Sequence, residues 1–259
     1  MDKNKRTNNA FDILMKRRRT SIIIDCTEDD DDQDDDGMNS DPPKSTLKID
    51  AFSIMMKNSQ ESDARSIASK IPGLSLQYNI ISDGLPIMRK IQETPGWKPV
   101  GSGEHSRRVI YFGRPYYSSK GSSNDDVSTR PIPDFLIPLQ KIAEDATGKS
   151  LKTCLINEYL PGQGIGEHVD KTDDVGDTVV GISLGSSAVM IFRHPDGRRY
   201  DITLPPNSMY IMTGEARYVW SHQVPARIKD GNRVRTTRVS VTFRNQKDKE
   251  EAEQVIIVE

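Results

Sequence analysis

Residues 178–213 read TVVGISLGSSAVMIFRHPDGRRYDITLPPNSMYIMT, three short runs rich in β-branched and aromatic residues (Thr178 to Leu184, Ala188 to His194 and Ser208 to Thr213) parted by Gly, Pro, Asn and Asp. Runs of this length, bounded by turn formers, are strand signals. Thr153 to Tyr159 precedes them and Thr237 to Phe243 follows in the same style. Several short strands so punctuated indicate an all-β sandwich or barrel, with its core beyond residue 150.

Upstream of that region the texture is mixed. Ile71 to Leu76 reads as a turn into a short strand, and residues 83–94 (DGLPIMRKIQET) as a helix with Leu85, Met88 and Ile91 on one face. Arg107 to Tyr117 (RRVIYFGRPYY) reads as a strand interrupted at Gly113-Arg114-Pro115, and residues 121–129 as a polar loop. Pro133 to Ala146 carries Phe135, Leu136, Leu139 and Ile142 at helical spacing. This gives an α+β N-terminal extension over residues 67–150, a core over 151–247 and a charged tail over 248–259.

The 259 residues carry a net charge of -2 that conceals a strong asymmetry, because residues 28–36 (EDDDDQDDD) hold eight acids and no base. Residues 61–259 hold 26 bases and 25 acids. Bulk charge therefore gives no argument for a nucleic-acid partner, and any such contact must be local. Residues 1–66, with a basic cluster (Lys16 to Arg19), the acidic run and Pro42-Pro43, are too polar to offset their ordering entropy and are expected to be a disordered tail. Within them Ser21-Ile22-Ile23-Ile24-Asp25, followed by the acids, resembles a SUMO-interacting motif, so SUMO or SUMO-modified proteins are candidate partners through residues 21–36. Ala10 to Met15 reads as a docking peptide or part of a nuclear-import segment, and the basic cluster Lys16 to Arg19 that follows gives the expectation of a nuclear, or nuclear and cytoplasmic, protein. No apolar run approaches the ~20 residues of a membrane span, and two cysteines, Cys26 and Cys154, make no disulfide framework.

Four histidines occur, at 105, 168, 194 and 222. His168-Val169-Asp170 on an extended segment points an imidazole and a carboxylate to the same side. His222 follows far enough along for a sheet to fold back and bring in a third ligand. Two histidines and one carboxylate cap one face of an octahedral ion and leave the other positions open, the arrangement of non-haem Fe(II) oxygenases. Sixteen residues after His222 comes Arg238-Val239-Ser240-Val241-Thr242-Phe243-Arg244, which as a strand puts both arginines on one face. Buried arginines require anions, and a small dicarboxylate offers two. His194 in a Pro-Asp-Gly turn and Trp220 read as structural, Cys154 as packing, and His105 as solvated.

Together His168-Val169-Asp170, His222, the pair Arg238 and Arg244, and the preceding Asn157-Glu158-Tyr159-Leu160-Pro161-Gly162 resemble the AlkB family of Fe(II)/2-oxoglutarate dioxygenases over residues 70–247. Ile182 to Gly185, His194 to Gly197 and Met212 to Tyr218 look most like the oxygenase domain of the family member that is fused to a tRNA methyltransferase. The resemblance implies a mainly β fold, a double-stranded β-helix or jelly roll. It implies Fe(II) held by His168, Asp170 and His222, with 2-oxoglutarate as cosubstrate bound by Asn157, Tyr159, Arg238 and Arg244. Arg238 would take the distal carboxylate and Arg244 would lie near the chelating end. Beyond the metal centre no further catalytic side chain is implied.

The interleaved cations and aromatics Arg107, Arg108, Tyr111, Arg114, Tyr116 and Tyr117 suit phosphate contacts and stacking on an extruded base, and in the family this region forms a lid over the substrate nucleotide. The activity expected first is oxidative demethylation of alkylated bases in DNA or RNA, hence nucleic-acid repair. Hydroxylation of a tRNA wobble uridine, a protein substrate, and a catalytically silent module recruited to SUMO are the alternatives.

Overall fold

The structure is a computed structural model, and it describes residues 51–100, 106–113, 130–172 and 175–246. The acidic run and SUMO-like segment at 21–36, the basic cluster at 16–19, His105, and Arg114, Tyr116 and Tyr117 of the proposed lid lie outside them, as does the tail from 248. The chain divides into two compact units, Met1–Ser62 and Asp63–Glu259.

The described part of the first unit is helical, the opening of helix α1 (Ala51–Ala68). A disordered reading of residues 1–66 is therefore corrected over 51–66. Within the second unit the last turns of α1 bury Ala64 and Ala68 in the core with Ile67 against it, an i, i+3, i+4 stripe on one face of the helix.

Most of the second unit is strand. A seven-stranded antiparallel sheet runs in the order β1 (Leu74–Gln77), β9 (Ser208–Met212), β6 (Val175–Gly185), β13 (Arg238–Gln246), β4 (Thr153–Tyr159), β3 (Arg108–Gly113), β2 (Lys98–Pro99). A four-stranded sheet has the order β5 (Ile165–His168), β10 (Ser221–Val224), β7 (Ala188–Arg193), β8 (Arg199–Leu204), and a small hairpin joins β11 (Lys229–Asp230) to β12 (Arg233–Val234). These paired sheets are the expected double-stranded β-helix. The strands of the N-terminal extension join the core's own sheet: β1 pairs with β9 and β3 with β4, so residues from before 150 cover edges that the core strands would otherwise expose.

Both faces of the large sheet are covered. One packs on α2 (Leu85–Glu93) and on α3 (Ile137–Thr147) with the single 3₁₀ turn Asp134–Leu136 before it, and there Met88, Ile91, Leu136, Leu139 and Ala143 meet Ile156, Val180, Ile182, Val239, Val241 and Phe243. Pro86 and Pro138 sit in the first turns of α2 and α3, where a missing N–H costs nothing, and Gly148 closes α3 in the left-handed region at φ 65°. Leu85 does not share the buried face of Met88 and Ile91 and is exposed; residues at i, i+3 and i+6 spread over about 120° of a helix, wider than the covered strip. The second cluster lies on the other side, where Tyr78, Val179, Tyr210 and Met212 meet Met190, Phe192, Ile202, Leu204 and Trp220. Among the described residues no helix is long and apolar enough to cross a membrane.

Leu139 is fully buried on the helix-facing side. Leu139→Ala is expected to cost about 2–5 kcal/mol through lost transfer energy and a residual cavity, read as a lower midpoint in urea unfolding at unchanged slope.

Candidate metal and cosubstrate site

The sequence alternation of β13 is what builds the site. Val239, Val241 and Phe243 face the helices, so Arg238, Ser240, Thr242 and Arg244 face the other way, into the space between the sheets. In register beside them lie Tyr159 and Asn157 on β4, and Gly185, Ser183, Gly181 and Val179 on β6. Gly181 has no substitute at its position: a Cβ there would overlap the ring of Tyr210, its partner on β9.

His168 ends β5 and lies directly opposite His222 on β10, with the two rings 4.4 Å apart between centroids. Asp170 follows just beyond the strand. One donor atom from each of His168, Asp170 and His222 lies within 4.8 Å of the others, the single such group of three among the described residues. Nδ1 of His168 is 2.8 Å from the carbonyl oxygen of Gly166. A carbonyl only accepts, so Nδ1 carries the proton and Nε2 is left with its lone pair for a metal. Burial, aided by His168, Arg244 and Arg217 against the pull of Asp170, pushes His222 down to about 4, so its ring is neutral at pH 7. Burial alone would raise Asp170, but Arg244, His222, His168 and Arg217 hold its carboxyl below the usual range. Neutral imidazole and ionised carboxylate are the ligand forms of these groups.

Both arginines are inside. Arg244 Nη2 donates to Asp170 Oδ1 at 3.2 Å, and Arg238 Nε to the Ser183 hydroxyl at 3.0 Å. The Arg238 guanidinium lies over the Tyr159 ring, 5.4 Å from its centroid. Arg238 Nη2 and Arg244 Nε are buried with no hydrogen-bond partner among the described residues. Buried charged donors left unsatisfied are costly, so each fits an acceptor brought in by an anion. Burial raises Tyr159 against the pull of Arg238 and raises Tyr210 to about 12, so both phenols stay protonated and can donate.

Of the proposed lid residues, the structure separates neighbours by face. Arg107 Nε donates to Asn157 Oδ1 at 2.9 Å, on the site's face of the sheet. The Asn157 amide NH2 is thereby the group left to donate elsewhere. Half-exposed Tyr111, in register with Leu155 and between the helix-facing Ile110 and Phe112, shares that face. Arg108 does not: it turns to the helix side, where it pairs with buried Glu158, itself held by Gln92 at 2.7 Å, and lies over Trp97. Strand alternation separates these adjacent arginines, which composition alone had grouped. His194 lies against Trp220 with the rings tilted and 4.9 Å between centroids, its Nδ1 is 2.9 Å from Asp196, and Trp220 is fully buried, both as structural groups. Cys154 is buried, which pushes its thiol far up and leaves it inert. Arg217 is a residue that sequence reasoning missed: buried on the short helix α4 (Gly214–Tyr218), it donates to the carbonyls of Asp170 and Lys171. An arginine in a polar hexapeptide carries no signal of burial.

A jelly roll with two histidines on one sheet, an aspartate just past the end of its strand, and two buried arginines on the other sheet defines an Fe(II)-dependent oxygenase with a dicarboxylate cosubstrate. Residues 94–244 match the 2OG-Fe(II) oxygenase superfamily, and the chain belongs to that superfamily as an AlkB-like member. It is an Fe(II)/2-oxoglutarate dioxygenase. It is 31% identical over 190 residues to protein L905 of Acanthamoeba polyphaga mimivirus, covering 69% of this chain and 87% of that protein. It is 34% identical over 168 residues to the tRNA (carboxymethyluridine(34)-5-O)-methyltransferase ALKBH8 of Macaca fascicularis, covering 60% of this chain. The match spans 24% of that relative's length. Among solved structures OsALKBH1 superposes with a TM-score of 0.54 at 23% identity, covering 67% of this chain and 98% of that one, a likeness of fold.

Arg238→Ala is expected to weaken 2-oxoglutarate binding by on the order of 2–5 kcal/mol while leaving metal binding in place, and His168→Ala to abolish metal binding. Isothermal titration with Mn(II), then with 2-oxoglutarate, separates the two effects.

Proposed function

We propose that this chain oxidises a modified nucleobase in tRNA, hydroxylating a C–H bond on the 5-substituent of a wobble uridine. The observation that carries the reading is the match to ALKBH8, a relative named for a carboxymethyluridine at tRNA position 34. The site geometry is compatible with it. His168, Asp170 and His222 would hold Fe(II), and Arg238, Arg244, Asn157 and Tyr159 would hold 2-oxoglutarate. When bound, these supply oxidation of a C–H bond by dioxygen, with the cosubstrate leaving as succinate and carbon dioxide.

The protein's own share is orientation. Arg238 would fix the distal carboxylate against Ser183 and Tyr159, the Asn157 amide turned by Arg107 would donate to the cosubstrate, and the apolar cluster around Phe192 and Trp220 would keep water from the buried side of the centre. Tyr111, half-exposed on the site's face of the sheet, is a surface on which a base can stack. Oxidative demethylation of alkylated bases uses the same site on an N-methyl group and is the rival outcome.

Succinate formation from 2-oxoglutarate with Fe(II) in air, measured with tRNA carrying 5-carboxymethyl-type wobble uridines and in parallel with methylated DNA and RNA oligonucleotides, decides between them. Turnover coupled to tRNA and lost in His168→Ala is the expected result. Coupling to methylated oligonucleotides alone would replace this reading with base repair.

A further inference from the structure

We propose that Arg217 is a positioning residue of the metal centre, its guanidinium fixing the two peptide carbonyls at and after Asp170 so that this carboxylate stays convergent with His168 and His222. The inference rests on the metal role of those three residues. His168 and His222 are held by the ladder between β5 and β10, where they are direct partners. Asp170 has no such support, since β5 ends at His168. Arg244 holds its carboxylate, and its backbone is held by Arg217: Nη1 donates to the carbonyl of Asp170 at 2.8 Å and Nη2 to that of Lys171 at 2.6 Å.

The clamp is itself anchored. Arg217 is 1% exposed. Helix α4 is pinned to the chain before β1 by the Ala216 N–H on the Pro72 carbonyl at 2.9 Å, and its end is closed by Val219 and Trp220 N–H groups on the Glu215 carbonyl. From Trp220, buried at the core, the chain passes directly into β10 and His222. One segment therefore supplies the third ligand and, five residues earlier, the group that aims the second. A planar fork spans two successive carbonyls, whereas a lysine ammonium is a single point of attachment. Residues that orient metal ligands from behind typically govern 10–100-fold in metal affinity.

Mn(II) is a redox-stable probe of the site, and its binding to the full chain is followed by the loss of its free-ion EPR signal, without turnover. R217A is expected to weaken Mn(II) binding by about 10–100-fold, with Arg217→Lys between it and wild type. Leu139→Ala is the control for stability alone, and it should leave affinity within about twofold, as distant sites do. If R217A does not fold, Arg217→Lys decides. Folded Arg217 variants that bind Mn(II) like wild type, or that lose no more affinity than Leu139→Ala, would overturn the clamp. A folded wild type that binds no Mn(II) would overturn the metal reading and the clamp with it.

Discussion

Strand β13 is hydrogen-bonded along both edges, to β4 and to β6, so its side chains can sort only by alternation between the two faces of the sheet. Its odd positions, Val239, Val241 and Phe243, are fully buried against the helical layer. That burial fixes the register, because a slip of one residue would drive Arg238 and Arg244 into an apolar layer. The cationic face of the site is thus a consequence of packing on its reverse. The helices α2 and α3, remote from any chemistry, determine where the two guanidiniums point.

The same constraint acts on the neighbours. Asn157 and Tyr159 face the site because Cys154, Ile156 and Glu158 face the helices, and Arg107 follows Asn157 while Arg108 follows Glu158. Along the row from Tyr210 through Gly181 to Thr242, the sheet must be thin for the tyrosine ring to lie across it, and glycine alone leaves that room.

How much of this was legible in the sequence followed from how strongly local pattern and tertiary role coincide. Strands β4, β7 and β13 are β-branched and apolar on a period of two, and their bounds lie within a residue or so of the pattern except at the end of β13, which runs on through polar Asn245 and Gln246. Strands β5 and β10 are four residues each, with Gly166 and Glu167 in one and Ser221 and Gln223 in the other, and no pattern of that length stands above the background; only their histidines drew notice. Strand β8 (RYDITL) is half charged on its exposed side and passed as a turn region. The ligand triad and both arginines were legible because their chemistry is unusual at that spacing. Arg217 was not, because a clamp on backbone carbonyls leaves no partner residue in the sequence to betray it.

The electrostatics of the pocket follow from the burial of arginine rather than lysine. Arg217, Arg238 and Arg244 are all drawn from solvent, and Asp170 feels both Arg244 and Arg217. Burial lowers the Arg238 guanidinium from its ordinary value, but arginine keeps its charge in sites where a buried lysine readily loses its proton. Arg238 Nη2 and Arg244 Nε have no acceptor among the described residues, a desolvation cost that a dianion with two carboxylates would remove. Binding energy from the cosubstrate is then partly relief of a cost already built into the fold. A ligand that binds only the folded state also stabilises it, by an amount that grows with the logarithm of its concentration above Kd, so a cosubstrate held by these arginines would stabilise the fold that holds it.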